Sequence, residues 1–292
     1  MLVNLINNHL NVIINTHGAE VTSIKDASNI EYLWQADKKF WGRHSPVLFP
    51  IVGRLKDDRY KYKDKVYSMG QHGFARDMDF EIIEKFSDMV VMILKSNKDT
   101  LKIYPFDFKL KIKYYLVDNN LKANMEVINE GKNEMLFSIG GHPAFNVPFI
   151  NDYNNNYEDY QVEVIPNKEY QQIPFEAPYI NLHSIKKVNL SKPLKLTHNL
   201  FYQDAKVMKV DEDRIKCVLS SDKSKRNITV IADNAEYAGL WAAKNAPFVC
   251  IEPWWGVADD KETSGQFENK IGLNKLSSKD NFKANYLIQI NN

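Results

Sequence analysis

Two acid-base groups in this 292-residue chain stand where side chains with chemistry to do are usually mounted. His142 lies in Ser138-Ile139-Gly140-Gly141-His142-Pro143-Ala144-Phe145-Asn146-Val147-Pro148. Phe137 and Ile139 continue the apolar alternation of the strand before it. Gly140-Gly141 permits backbone angles or a close approach that a side chain would block. Pro143 removes a donor and pushes His142 toward an extended conformation. An imidazole fixed in this way at a strand end suits proton transfer near neutral pH. The plain alternative is a turn histidine with a structural hydrogen bond. Glu252 lies in Phe248-Val249-Cys250-Ile251-Glu252-Pro253-Trp254-Trp255-Gly256-Val257-Ala258-Asp259-Asp260, after four apolar residues and before a proline and two tryptophans. An unpaired buried carboxylate is costly, so the group is either paired with an arginine or functional. Partial burial would raise its pKa above the ordinary carboxylate value, toward that of a working base.

The elements that must carry these groups read as strands. Phe108, Leu110, Ile112, Tyr114 and Leu116 alternate with lysines and a tyrosine; after Asp118-Asn119-Asn120, Leu121, Ala123, Met125 and Val127 alternate again. This is an antiparallel hairpin with one wet face, and it leads into the His142 segment. Leu10, Val12 and Ile14 form a strand that Gly18 ends. Residues 80–85 and 89–94 read as a pair, and Tyr60–Tyr67 turns at Lys63-Asp64. Ile215, Cys217 and Leu219 match Ile228, Val230 and Ala232 across a polar turn. Tyr160–Val164, Leu240–Ala242, Phe248–Ile251 and Tyr286–Ile290 complete the set. The stretch Trp41–Arg54, with two prolines and two glycines, is neither a helix nor a central strand throughout, and it delivers Arg43, His44 and Arg54 to one region. Residues 166–200 carry no clear period, and 97–104 offer at most a turn or two of helix. Many short strands without a linker or composition break predict an all-β chain, one β-sandwich domain over residues 1–292.

Composition narrows the partners. Lys plus Arg number 38 against 37 acidic residues, a net charge of +1, so no global field draws the chain to nucleic acid or an anionic membrane. The two cysteines, Cys217 and Cys250, sit in apolar runs and read as buried free thiols of a reducing compartment. No basic leader precedes an apolar run, and no window is long and apolar enough to span a bilayer, so a cytoplasmic location is expected. None of the seven histidines forms an HxH, HxxxH or HExxH pair and no CxxC occurs, so no metal site is expected. Phosphate-binding glycine loops, a dinucleotide fingerprint and a serine nucleophile elbow are also missing.

The motifs FPIVGRL, HGFAR, FSIGGHPAFNVP and VCIEPWWGVADD together resemble those of the aldose 1-epimerase (galactose mutarotase-like) superfamily, and within it the LacX-like branch. The likeness runs from about Gly18 to the last strand. It implies a large antiparallel β-supersandwich with little helix. It also implies an isomerase that interconverts α and β anomers of a hexose by opening and closing the ring, without a cofactor. By position in the motifs, His142 matches the acid that protonates the ring oxygen and Glu252 the base that takes the C1 hydroxyl proton. Arg54 matches a sugar-binding arginine, His72 a histidine on substrate hydroxyls or the ring oxygen, and Asp204 an aspartate that holds substrate. An acid and a base on opposite sides of one sugar ring would suffice. Trp241, Trp254 or Trp255 could offer a platform to a sugar face, with core packing as the alternative. The tryptophan pair after Glu252 departs from the galactose mutarotases, so the resemblance leaves the sugar open. Arg43, Arg54, Arg59 and Arg76 could converge on a phosphate, as hexose-6-phosphate epimerases of the same superfamily would require; the alternative for Arg43, Arg59 and Arg76 is pairing with nearby aspartates. A carbohydrate-binding protein without turnover is the third reading. Oligomeric state is left open.

Overall fold

A computed structural model describes residues 1–292. Its architecture follows from period-two burial. In Phe108–Val117 and Asn120–Asn129 every second side chain is buried, and the two strands pair through a two-residue turn, Val117 opposite Asn120. One buried face per strand demands a second layer to cover it.

The first layer is a nine-stranded antiparallel sheet. From one edge its strands are Leu194–Lys195, Tyr160–Ile165, Arg214–Ser221, Asn227–Asp233, Asn281–Asn291, Asn120–Asn129, Phe108–Val117, Met89–Lys95 and Glu81–Lys85. The second has, in order, Lys186–Asn189, Glu169–Ile173, Lys206–Lys209, Tyr237–Trp241, Phe248–Trp255, Ile139–Gly141 and Val47–Leu48, with Ala144–Asn146 also paired to Phe248–Trp255. Val162, Val230 and Ile288 from the first sheet join Leu240, Cys250 and Phe145 from the second in one apolar core. A three-stranded sheet, Leu2–Ile6, Leu10–Asn15 and Glu20–Asp26, adds Val3, Val12 and Ile24 to that core. Helix is limited to one α turn, Thr100–Ile103, and short 3-10 turns.

Three local expectations change. Phe137 and Ile139 do not belong to one strand: Met135–Phe137 pairs with Asn274–Leu276, whereas Ile139–Gly141 joins the second sheet. The chain therefore changes sheets at Ser138. Residues 166–200, which show no period in sequence, supply the edge of the second sheet with Glu169–Ile173 and Lys186–Asn189. Edge strands are short and largely wet, so only Tyr170 and Ile173 of Glu169–Ile173 are buried and the alternation is lost. The last strand runs over Asn281–Asn291, longer than its apolar tail suggests.

Candidate active site

Sheet register brings the two acid-base groups together. Ile139 pairs with Trp255 and Gly140 with Trp254; Ala144, Phe145 and Asn146 pair with Cys250, Val249 and Phe248. Both ladders keep one register, so position 142, in the gap between them, falls opposite position 252. Pro143, which has no N–H to give, closes the gap by accepting from the amide of Ile251 at 3.1 Å. His142 Nε2 lies 3.1 Å from Glu252 Oε2. On the other side Glu252 faces Gly239, and Trp254 lies against both Gly239 and Gly140. A Cβ at Gly140 would approach the indole to 2.8 Å and one at Gly239 to 3.1 Å. The glycines therefore make room for Trp254, whose Nε1–H donates to Glu252 Oε2 at 3.1 Å. Neither Gly140 nor Gly141 needs a positive φ. Of the two uses open to them in sequence, close approach is the one Gly140 serves.

This pair forms part of the wall of a cavity of about 580 Å³, a size that suits a small molecule. Arg54, His72, Asp204, Trp241 and Trp254 line it with His142 and Glu252. Trp255 points away and is buried, as strand alternation requires. Six further wall residues were not singled out from sequence, Gly53 and Ala205 among them. Trp41 stacks on the His142 ring at 4.9 Å, beside the edge contact of Trp241 at 5.8 Å. Phe175 and Pro178 come from the stretch without a period, and Gln71 precedes His72. A Trp beside Gly42 was the available sign for the first; nothing in composition marks the others.

Burial sets the protonation. Glu252 is 1 % exposed, and desolvation holds its carboxyl well above the ordinary range against the lowering effect of the Trp254 donor. His142 is 7 % exposed; burial, with Arg76 and Arg43 adding, brings its pKa down to about 3. Its Nδ1 is buried without a partner, so an imidazolium would also strand an N–H there. Burial thus disfavours the charged form of each group, and moving one proton over a single hydrogen-bond length interconverts the neutral pair and imidazolium with carboxylate. His72 is fixed more firmly. Its backbone is left-handed, φ +64, and its Nδ1 accepts from the Gly53 amide at 3.0 Å. The ring is therefore a neutral tautomer with its proton on Nε2, and burial, the nearby His142 and the arginines push its pKa well below 6.5. Asp204 also has positive φ, +101, and its Oδ1 accepts from the Ala205 amide at 2.7 Å. Burial raises its pKa. Positive φ in non-glycine residues at a cavity wall is strain that the surrounding fold maintains.

The arginines separate into three settings. Arg54 donates through Nη1 to both oxygens of Asp58, at 3.0 and 2.8 Å. Arg76 reaches the cavity wall, donates to the Gln71 carbonyl at 2.6 Å and shares Asp77 with Arg43. Burial lowers its pKa to about 10. Arg59 does not converge with them; it lies in a separate groove with Lys56 and Lys61. His44 also falls outside the cavity wall and its amide donates to Glu20. The expectation of an acid and a base on opposite sides of a sugar ring is overturned by the 3.1 Å separation, which leaves no room for a ring between them. Strand pairing also gathers His142, Glu252 and Cys250 with donor atoms within 4.8 Å of one another, a set of types that binds soft divalent ions. The Cys250 thiol is held protonated there by burial and by the adjacent Glu252.

A two-layer antiparallel sandwich thus carries a buried His–Glu pair in the wall of a polar, tryptophan-lined cavity, in a fold shared with proteins of known family. The family model described as aldose 1-epimerase matches residues 1–263. The chain is 34% identical to the chromosomal protein LacX of Lactococcus lactis subsp. lactis over the full length of both. It superposes on a galactose mutarotase related enzyme from Lactobacillus acidophilus with a TM-score of 0.98 at 38% identity, covering 100% of this chain and 98% of that one. A galactose mutarotase-like protein from Lactobacillus casei gives 0.91 at 31% identity, with 99% and 100% covered. The chain belongs to the aldose 1-epimerase family and has the galactose mutarotase-like fold.

Proposed function

We propose that this protein is an aldose 1-epimerase that interconverts the α and β anomers of a hexose. The observation that carries the reading is the buried His142–Glu252 contact of 3.1 Å in the wall of a sugar-sized cavity. In a pyranose the C1 hydroxyl oxygen and the ring oxygen O5 are bonded to the same carbon, so adjacent groups on one side can serve both. Glu252, as carboxylate, takes the proton from the C1 hydroxyl. His142, as imidazolium, gives one to O5 while the C1–O5 bond breaks, leaving the open-chain aldehyde. The C1–C2 bond turns, O5 attacks the other face of C1, and both protons return. The pair ends with the proton count it began with. Each placed proton transfer contributes roughly 10²–10⁴-fold.

His72, with Nε2–H fixed as a donor, is suited to a sugar oxygen. Arg54 and Asp204 supply further hydrogen bonds that orient the ring. Trp41 and Trp241 form an aromatic corner at His142 that suits a C–H face of the sugar. A second reading, a hexose phosphate as substrate, is favoured by Arg54 and Arg76 on the same wall, because guanidinium forks match phosphate oxygens. The experiment is polarimetry or NMR exchange on freshly dissolved α-D-galactose and α-D-glucose, with and without a 6-phosphate. Accelerated equilibration that disappears in His142→Ala and Glu252→Gln is expected. Sugar binding with no acceleration for any of these would replace the enzyme with a carbohydrate-binding protein.

A further inference from the structure

Behind the cavity, on the side of Arg54 and His72, two opposite charges are buried together and take no direct part in lining it. Lys270 and Asp259 are both buried, with Nζ 3.3 Å from Asp259 Oδ1. Lys270 Nζ also donates to the carbonyls of Val257 at 2.6 Å and Ile271 at 3.4 Å. A buried pair of this kind is poor value as a stabiliser, since apolar residues of like volume often serve as well. Its contacts indicate a different use.

Asp259 grips the chain around Arg54 from two sides. Its amide donates to the Arg54 carbonyl at 3.0 Å, and its Oδ2 accepts from the Lys56 amide at 2.9 Å. The next residue back, Gly53, packs so closely on Ala258 that a Cβ there would lie 2.4 Å from the alanine methyl. Gly53 in turn makes both bonds that set His72: its amide donates to Nδ1 at 3.0 Å and its carbonyl accepts from the His72 amide at 2.7 Å. The same aspartate accepts at its own carbonyl from the Ile180 amide at 3.0 Å, docking the Phe175–Ile180 hairpin that brings Phe175 and Pro178 to the cavity. One residue, its carboxylate held by one ammonium, thus bonds three segments beside the cavity: its carboxylate takes the Lys56 amide, and its main chain bonds Arg54 and Ile180.

We infer that Asp259 and Lys270 are positioning residues of the sugar site: the pair fixes the main chain of Gly53–Lys56, and through it the aim of Arg54 and the tautomer of His72. Neither residue touches substrate. Lys270 holds the carboxylate in place, and the carboxylate holds the loop. This inference rests on the proposed sugar site for its kinetic consequence only; the state of His72 can be read without a sugar.

The test uses the full chain with both charges removed together, because either one left alone would be an unpaired buried ion. Two double variants separate loop-holding from charge. Asp259→Ala with Lys270→Met removes the acceptor for the Lys56 amide; Asp259→Asn with Lys270→Met keeps one. Histidine ¹⁵N NMR reports which ring nitrogen of His72 is protonated, and sugar binding and turnover report KM against kcat. For the first variant a mixture of His72 tautomers and a KM raised about tenfold are expected, with kcat changed much less. The second should return both toward wild type. The inference is overturned if the first variant keeps the Nε2–H tautomer and the wild-type KM. It is equally overturned if both variants lose them alike, which would make the pair a general stability device. Failure of the wild type to equilibrate any hexose would defeat the sugar reading while the sugar-free spectrum still decides this one.

Discussion

The floor and the rim of the cavity handle charge in opposite ways. At the floor, His142, His72 and Glu252 are buried, burial disfavours the charged form of each, and His142 lies 3.1 Å from Glu252. At the rim, Arg54 pairs with Asp58 and Arg76 with Asp77, which Arg43 also reaches from outside the wall, and all of these side chains are partly open to water. The difference is one of desolvation. Ions deep in the fold cost several kcal/mol each unless paired well, whereas exposed ion pairs contribute roughly 0–1 kcal/mol. In the proposed reaction, proton transfer therefore belongs at the floor, where a polar substrate can tip a neutral pair into an ionic one. Recognition that tolerates exchange with water belongs at the rim.

The largest effects should come from the floor. Glu252→Gln and His142→Ala should each lower kcat/KM by about 10²–10⁴-fold with the fold retained, checked by polarimetry alongside circular dichroism. Loss of less than tenfold in either would remove that residue from the proton path.

The neutral pair also has a signature in stability against pH. Unfolded, a histidine takes up its proton near 6.5 and a glutamate near 4.5. Folded His142 stays neutral down to about 3 while Glu252 stays protonated well above 4.5. Between pH 4.5 and 6.5 the unfolded chain holds one proton on this pair, on the histidine, and the folded chain also holds one wherever Glu252 keeps its proton or passes it to His142. The pair therefore contributes no slope in that window. In Glu252→Gln only the depressed histidine remains. Its contribution is complete above about 6.5 and is lost as pH falls toward 3. Stability should then decline by about 1.4 kcal/mol more per pH unit than in wild type across the window. His72, also depressed, gives both proteins a common loss toward acid. Denaturant titrations at several pH values read the difference; parallel slopes would mean that His142 takes up its proton in the folded variant as readily as in the unfolded chain.

At the rim, Arg54→Ala should raise KM roughly tenfold with kcat nearly unchanged, because the arginine binds ground state and transition state alike. Repeating the measurement with a 6-phosphate sharpens the contrast. A loss confined to the phosphorylated sugar would assign the rim to phosphate, and an equal loss on both would assign it to ring hydroxyls.

The floor was readable in sequence residue by residue, but its geometry was not. Glycines and a proline around His142, and apolar flanks around Glu252, signal constrained and buried positions because few other contexts tolerate them. That the two stand 3.1 Å apart depends on the register of strands distant in sequence, which no local pattern records. The hairpin Phe108–Asn129 was legible for the opposite reason: each strand has one wet and one dry face, so period two is written into it. Trp41 carried only the weak sign of its neighbour Gly42, since a tryptophan is ordinarily core and only the fold places its ring on His142. The edge strands that bring Phe175 and Pro178 to the cavity are too short and too wet for alternation to survive.

The smallest expected effect lies where the floor meets its own support. Trp254 donates to the Glu252 oxygen that faces His142, and that donor is the contact opposing the rise of the glutamate pKa by burial. Trp254→Phe keeps a ring between Gly140 and Gly239 and removes the donor alone. The Glu252 pKa should rise further, because a hydrogen bond given to the carboxylate stabilises its charged form. Activity depends on the state with one proton on the pair, so it falls when the second proton leaves at high pH. The alkaline limb of the rate profile should therefore move up in the variant. The rate on the plateau should fall only a few-fold, in keeping with the roughly 1 kcal/mol that one such bond is worth. An alkaline limb that stays in place would mean that Glu252 does not set it.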